Sequence, residues 1–174
     1  PHDRQHVGGQ GIGERFRVGA ACRLELLDYG ERRSATLGDE RIAAGRYFSV
    51  DYRLVAGVLT IPRSEPRIAH PTLITCTQEM AATAAISALE QEHFQASSYD
   101  TLLSVGEHWS ELHLDDLGGP IAVLCDLWTD PKTGVTYAPY LDRAYSGALE
   151  QALRLQHIGF PWWPGTLFLV EPRA

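Results

Sequence analysis

Basic residues are scarce in this chain of 174 residues, and their scarcity excludes one broad class of partner. Lysine and arginine together number 15, against 22 aspartates and glutamates, which gives a formal net charge of −7 at pH 7. Binding to a phosphate backbone depends on clustered basic side chains that release counterions. We therefore expect no nucleic acid partner.

Cysteine is also scarce, and long apolar runs are missing. Cys22, Cys76 and Cys125 are an odd number without a close pair, which suits neither a disulfide framework nor a C-x-x-C zinc site. No run approaches the roughly 18 apolar residues that a membrane-spanning helix needs, and no secretory signal pattern begins the chain. We expect a soluble cytoplasmic protein, or one delivered from a larger precursor, since Pro1 suggests trimming. We predict no cofactor.

The apolar pattern predicts strands along most of the chain. They are expected at about 16–29, 47–60, 121–128, 135–140 and 166–170. A turn at 129–134 contains the proline and glycine that preset and permit its backbone angles, so the strand after it is expected to return antiparallel.

Two helices are predicted beside these strands. A short buried strand after His70 leads into an alanine-rich helix over 76–94. The apolar stripe of Leu141, Tyr145, Leu149 and Leu153, spaced four residues apart, predicts a second helix over 141–156. The fold class predicted is α+β, with an antiparallel twisted sheet of about six or seven strands packed on the main helix. This single domain occupies residues 15–174, after a flexible glycine-rich segment at 1–14.

The start of the main helix carries the leading candidate site. Thr75 and Gln78 have the spacing of a capping box, which places Cys76 at the first helical position. Unpaired N–H groups and the helix dipole at that position lower the pKa of a thiol. We therefore predict that Cys76 is a nucleophile. The competing interpretation is a cysteine buried in the core.

A cysteine nucleophile needs a base, and the base needs a carboxylate that fixes its tautomer. His108, and Asp126 at the end of a predicted buried strand, follow Cys76 in an order that permits a Cys-His-Asp triad. Gln78 and Trp109 are predicted as supporting residues, with Gln78 or nearby backbone amides as donors to an oxyanion.

These residues, which lie between about positions 70 and 130, resemble the transglutaminase-like and papain-fold cysteine enzymes, including toxin domains of bacterial competition systems. The resemblance rests on Cys76 at a predicted helix start, on His108-Trp109 and on the run Cys125-Asp126-Leu127-Trp128. It implies a hydrolase, deamidase or acyl transferase that attacks a protein, amide or acyl substrate through a thioester.

A second set of residues has the composition of a metal site. If residues 107–115 are extended, His113 and Asp115 share one face, and His157 could complete a two-histidine, one-carboxylate iron site. The competing interpretation is a polar strand face in contact with water.

Two other functions are left open. The alanine-rich helix after His70-Pro71 resembles the central helix of hot-dog acyl-thioester enzymes, in which case Glu79 would be an acid or base. The chain could instead be a non-catalytic inhibitor, immunity protein or structural subunit that binds a protein partner through an aromatic surface. The tryptophans available for such a surface are Trp109, Trp128, Trp162 and Trp163.

Overall fold

The computed structural model describes residues 16–21, 24–26, 47–55, 67–108, 119–125, 128–143 and 151–173. The strands in these ranges are β1 (Phe16–Ala21), β2 (Leu24–Leu26), β3 (Tyr47–Val50), β4 (Arg67–Ala69), β5 (Thr72–Cys76), β6 (Phe94–Ala96), β7 (Ile121–Ala122), β8 (Trp128–Thr129), β9 (Thr136–Arg143), β10 (Gln151–His157) and β11 (Leu167–Pro172). The helices are α1 (Tyr52–Val55), α2 (Ala82–Gln91) and α3 (Tyr99–Glu107). The segment predicted to be flexible, 1–14, lies outside the described residues.

Nine of the described strands form one sheet in the order β1-β5-β11-β7-β9-β10-β3, with β6 beside β11 and β8 beside β9. The pairs β11 with β7 and β10 with β3 are parallel, and the other pairs are antiparallel. Strands β2 and β4 form a separate antiparallel pair. The α+β class is therefore confirmed, but the sheet is larger than predicted and is mixed.

Helices cover the sheet from both sides, because successive residues of its central strands enter two different cores. Leu167 and Leu169 of β11 pack in the core that contains the apolar residues of α3, which we call the α3 core. Phe168 and Val170 pack in the core that contains those of α2, which we call the α2 core. The prediction of a sheet packed on one main helix is thus wrong.

The main helix also begins later than predicted. Helix α2 starts at Ala82, and the residue before it, Ala81, provides no side-chain cap. The capping box at Thr75 and Gln78 is wrong, since Thr75 belongs to β5. None of the described helices has the length and apolar content needed to cross a membrane.

The second predicted helix, over 141–156, is wrong at both of its described ends. β9 continues to Arg143 and β10 begins at Gln151, and the two strands pair antiparallel as far as His157 with Tyr137. The leucine spacing that suggested a helix is also compatible with a strand whose alternate residues are buried.

Two other sequence predictions agree with the described strands. β8 and β9 pair antiparallel around the turn predicted at 129–134, in which Gly134 has a φ of 72°. β11 matches the predicted final strand. The single strand expected at 16–29 is wrong, because β1 and β2 belong to different sheets. The strand expected at 47–60 is wrong beyond Val50, because Tyr52–Val55 form α1.

The caps of the two longer helices predict that two substitutions change the free energy of unfolding in opposite directions. Ser98 precedes α3 and its Oγ accepts a hydrogen bond from the Thr101 N–H at 3.2 Å, whereas Ala81 precedes α2 in an extended conformation without a capping side chain. An N-cap side chain contributes about 1 kcal/mol. We expect Ser98→Ala to lower the free energy of unfolding by about that amount and Ala81→Ser to raise it, as measured by urea denaturation. Changes of the same sign would contradict the assigned caps.

Candidate functional site

Cys76, the predicted nucleophile, is the last residue of β5 and its side chain is fully buried in the α2 core. Its N–H donates to the Thr166 carbonyl at 2.7 Å, and its own carbonyl accepts from the Gly165 N–H at 2.7 Å. The thiol donates to the Gln78 carbonyl. The expected helix-start position is therefore wrong, because the Cys76 N–H pairs with a neighbouring segment.

The electrostatic environment of Cys76 also contradicts the prediction of a reactive thiol. Burial raises the pKa of the Cys76 thiol, and a backbone hydrogen bond with Gln78 opposes this only in part. A raised pKa leaves little thiolate near neutral pH, and thiolate is the nucleophilic form. The prediction of a lowered pKa is wrong.

The structure does not bring His108 to Cys76. His108 directly follows α3, and α3 lies on the sheet face opposite the one that buries the Cys76 thiol. The end of α3 is held beside β10, because the Gln151 side chain donates to the Gly106 carbonyl at 2.8 Å. β10 is four strands away from β5, or about 19 Å at the usual strand spacing. Both the sheet and this lateral distance separate the two residues.

Several other predicted site residues lie outside the described residues, so their roles stay predictions. They are Trp109, His113, Asp115 and Asp126. Of the rest, Gln78 and Glu79 are exposed in the loop after β5, and His157 ends β10. The described part of the chain contains no group of three or more histidine, cysteine or acidic side chains that could hold a metal ion.

A different site forms where β8, β9 and β10 lie side by side. Trp128, Tyr137 and His157 occupy directly opposite positions on these strands. Ring centroids are 5.6 Å apart between Trp128 and Tyr137 and 6.0 Å apart between Tyr137 and His157. Phe160, in the turn after β10, continues the line at 4.9 Å from His157. The four rings form a continuous row across this part of the sheet.

Arg53 of α1 covers the row. Its Cζ lies 4.1 Å from the ring centroid of Tyr137 and 5.7 Å from those of Trp128 and Tyr52. Asp51 fixes the guanidinium with two bonds, Nε to Oδ1 at 2.9 Å and Nη2 to Oδ2 at 2.7 Å. This fork orients the cation over the rings, where attraction to their π faces adds to the contact.

Asp51 and Arg53 each stabilise the charged form of the other. The hydrogen bond from Arg53 lowers the pKa of Asp51, although burial opposes it. The same bond raises the pKa of Arg53. The side chains of Arg53 and Asp51 are only 18% and 14% exposed, so the pair is held mostly away from water.

Three large hydrophobic side chains are strongly exposed in the described residues. They are Tyr52 at 79%, Phe160 at 61% and Trp163 at 65%. Tyr52 contacts Arg53 above the row, Phe160 ends the row, and Trp163 follows in the same loop. We call the four-ring row, together with Tyr52, Arg53 and Trp163, the aromatic surface.

The loop that carries Phe160 and Trp163 is firmly held. Between these two residues, Trp162 is buried in the α2 core and exchanges two backbone hydrogen bonds with Met80, at 2.8 and 3.1 Å. The Gln156 side chain donates to the Pro161 carbonyl at 3.2 Å. The exposed rings are therefore displayed by an anchored backbone.

The sequence predicted only part of this surface. The sequence indicates Trp128 and Trp163 for a possible aromatic surface and His157 for a metal site, but it does not indicate Arg53 or Tyr137. Trp162, also named for that surface, is 2% exposed and belongs to the core. The alternation of residues along β9 indicates which face of the sheet Tyr137 is on. It does not indicate which rings lie beside Tyr137, because that depends on the register between the strands.

Comparison with protein family models, with curated proteins and with solved structures finds no match.

The buried thiol predicts low reactivity at Cys76. We expect iodoacetamide near neutral pH to modify Cys76 at least tenfold more slowly than Cys125, which is half-buried, because the raised pKa and burial both protect the thiol of Cys76. Peptide mapping by mass spectrometry gives both rates in one sample, and labelling after denaturation provides the control. Faster labelling of Cys76 in the folded protein would contradict this environment.

The pair of Asp51 and Arg53 predicts a pH-dependent contribution to stability. Because the pKa of Asp51 is lowered on folding, its contribution is present above the ordinary value of 3.8 and is lost as the pH falls through the folded value. We expect Asp51→Asn to lower the free energy of unfolding by about 1–2 kcal/mol at pH 7 and by less at pH 3, which is below the ordinary value of 3.8.

Urea denaturation at several pH values measures this difference. Glu90→Gln is the matched control, because it removes one negative charge from an exposed position on α2. An effect of Asp51→Asn that is as large at pH 3 as at pH 7 would show that the charge of Asp51 is not its cause.

Proposed function

We propose that this chain is a non-catalytic interaction protein that binds a protein partner through the aromatic surface. The observation that carries the proposal is the row of four rings beneath Arg53, beside which two of the three strongly exposed large hydrophobic side chains of the described residues lie, Tyr52 against Arg53 and Phe160 at the end of the row. Contiguous exposed apolar patches mark interaction sites. Tyrosine, tryptophan and arginine are also the residues enriched in binding hot spots.

The anchoring of these side chains supports the proposal. Binding loses affinity when mobile side chains and loops must first be ordered. Here the Asp51 fork holds Arg53, and backbone bonds to Trp162 hold the loop of Phe160 and Trp163. A partner would therefore meet a surface whose conformation is largely set beforehand.

The charge of the chain favours a protein over a nucleic acid as that partner. Aromatic rings with an arginine are also used to stack bases, but such sites lie in positively charged grooves. This chain has a formal net charge of −7, and the charge of Arg53 is matched by Asp51.

Catalysis by Cys76 is not part of the proposal. The thiol is buried, its pKa is raised, and the sheet lies between it and α3. A general base must come within hydrogen-bond reach of the proton that it removes, and His108 follows a helix on the other face.

Site-specific photo-crosslinking tests the proposal. We expect p-benzoylphenylalanine in place of Trp163 to capture a partner protein from an extract of the native cells at least fivefold more efficiently than the same residue in place of Ala84. Ala84 is the matched control because it is exposed on α2, which packs on the face of the sheet opposite to Trp128 and Tyr137. Phe160→Ser should reduce capture at position 163 severalfold. Equal capture at both positions, or capture insensitive to Phe160→Ser, would contradict the proposal.

A further inference from the structure

Among the described residues, the edge of β10 next to the aromatic surface is paired along only part of its length. β3 runs parallel to β10 and pairs with Gln151 to Leu153, and the chain then leaves the edge to form α1. The last bond of this pairing is donated by the Asp51 N–H to the Leu153 carbonyl, at 2.9 Å. β10 continues for four more residues, to His157.

The direction of the remaining backbone groups follows from this bond. The N–H and carbonyl of one residue point to the same side of a strand, and the side alternates along the chain. Because the backbone carbonyl of Leu153 points to β3, the backbone N–H and carbonyl groups of Leu155 and His157 point to the same edge. The Ile158 N–H donates to the Thr136 carbonyl of β9 at 2.9 Å, which agrees with this alternation.

Two of the four groups on this edge have partners. The Leu155 N–H bonds to the Asp51 carboxylate, and the His157 carbonyl accepts from the Phe160 N–H at 3.0 Å. For the Leu155 carbonyl and the His157 N–H, no described residue provides a partner. One acceptor and one donor therefore stand two residues apart, which is the arrangement that one residue of a parallel neighbouring strand would satisfy.

We propose that an extended peptide segment of a protein partner adds to this edge as a short strand, continuing the line of β3. This inference rests on the proposed function, because the added strand would be flanked by Tyr52 where β3 ends and by Phe160 where β10 ends. The central residue of the segment donates its N–H to the Leu155 carbonyl and accepts from the His157 N–H. Strand addition of this kind obtains affinity from the main chain and specificity from alternate side chains.

The side chains beside the edge define the chemistry of the segment. The central residue lies opposite Gln156 and shares its face with Arg154, which is exposed and forms no ion pair with a described residue. An acidic side chain there would meet Arg154. The residues before and after it point to the other face, where Leu155 and His157 continue into the aromatic surface. The preferred pattern is thus aromatic, acidic, aromatic.

The test uses a synthetic pentapeptide of sequence Phe-Glu-Phe-Val-Thr with blocked ends, which begins opposite Leu155 where β3 has left the edge, titrated into the isotope-labelled protein and followed by NMR. We expect saturable shifts of the His157 amide. N-methylation of the glutamate should weaken binding about tenfold, because it removes the N–H that bonds to the Leu155 carbonyl. N-methylation of the following phenylalanine, whose N–H points away from β10, is the matched control and should change the dissociation constant less than twofold in the absence of a clash.

Substitutions in the protein test the contacts that its own His157 and Arg154 would make with the peptide. His157→Ala and His157→Pro both remove the ring, but only proline removes the N–H, and that N–H is not used by β9. We expect His157→Pro to bind the peptide at least tenfold more weakly than His157→Ala. Arg154→Glu should favour a lysine-centred peptide over the glutamate-centred one, reversing the preference of the unchanged protein.

Absence of saturable binding, or an equal effect of the two N-methylations, would overturn the inference. The peptide comparison uses the unchanged protein, so it decides the question even if His157→Pro fails to fold. Crosslinking at position 163 without peptide binding would overturn strand addition and leave the proposed function standing. Loss of both would overturn both.

Discussion

The burial of β11 on both of its faces is the constraint on which the rest of the structure depends. Its residues Leu167–Val170 are all buried, alternately in the α3 core and the α2 core, while β5 and β7 pair with its two edges. Each such side chain contributes about 1.5–3 kcal/mol when it is removed from water. Both faces must therefore be covered, which places α2 and α3 on opposite sides of the sheet. The same arrangement keeps Cys76 apart from the end of α3.

The sequence predicted the elements whose pattern is local. The apolar final strand, the turn before β9 and the alanine-rich body of α2 depend on neighbours in the chain, and all three are found. The start of α2 is different. Cys76 pairs with Phe16 and with the carbonyl of Thr166, and these partners are 60 and 90 residues away. Such long-range pairing outweighs the roughly 1 kcal/mol that a cap at Thr75 could provide.

Register is the other information that a single sequence does not contain. Leucines at 141, 149 and 153 fit a helical stripe, yet Leu153 of β10 pairs directly with Leu141 of the neighbouring strand β9. The aromatic surface has the same origin, because its row joins residues from β8, β9, β10 and the turn that follows. Only the pairing of Tyr137 with both Trp128 and His157 brings these rings together. Composition showed that aromatic residues were available, but it did not show which of them would meet at the surface.

Asp51 connects the aromatic surface to the edge of β10. Its backbone N–H makes the last bond between this segment and β10, its carboxylate accepts the Leu155 N–H, and the same carboxylate holds Arg53 over the rings. A long unpaired edge would expose the sheet to unwanted pairing with other chains. Because Asp51 occupies the Leu155 N–H, this edge has one acceptor and one donor without a partner among the described residues, and both lie beside a fixed aromatic surface. An edge this short gives too few main-chain bonds for stable pairing by itself, so a segment must also match the side chains on both faces, and specificity follows from that requirement.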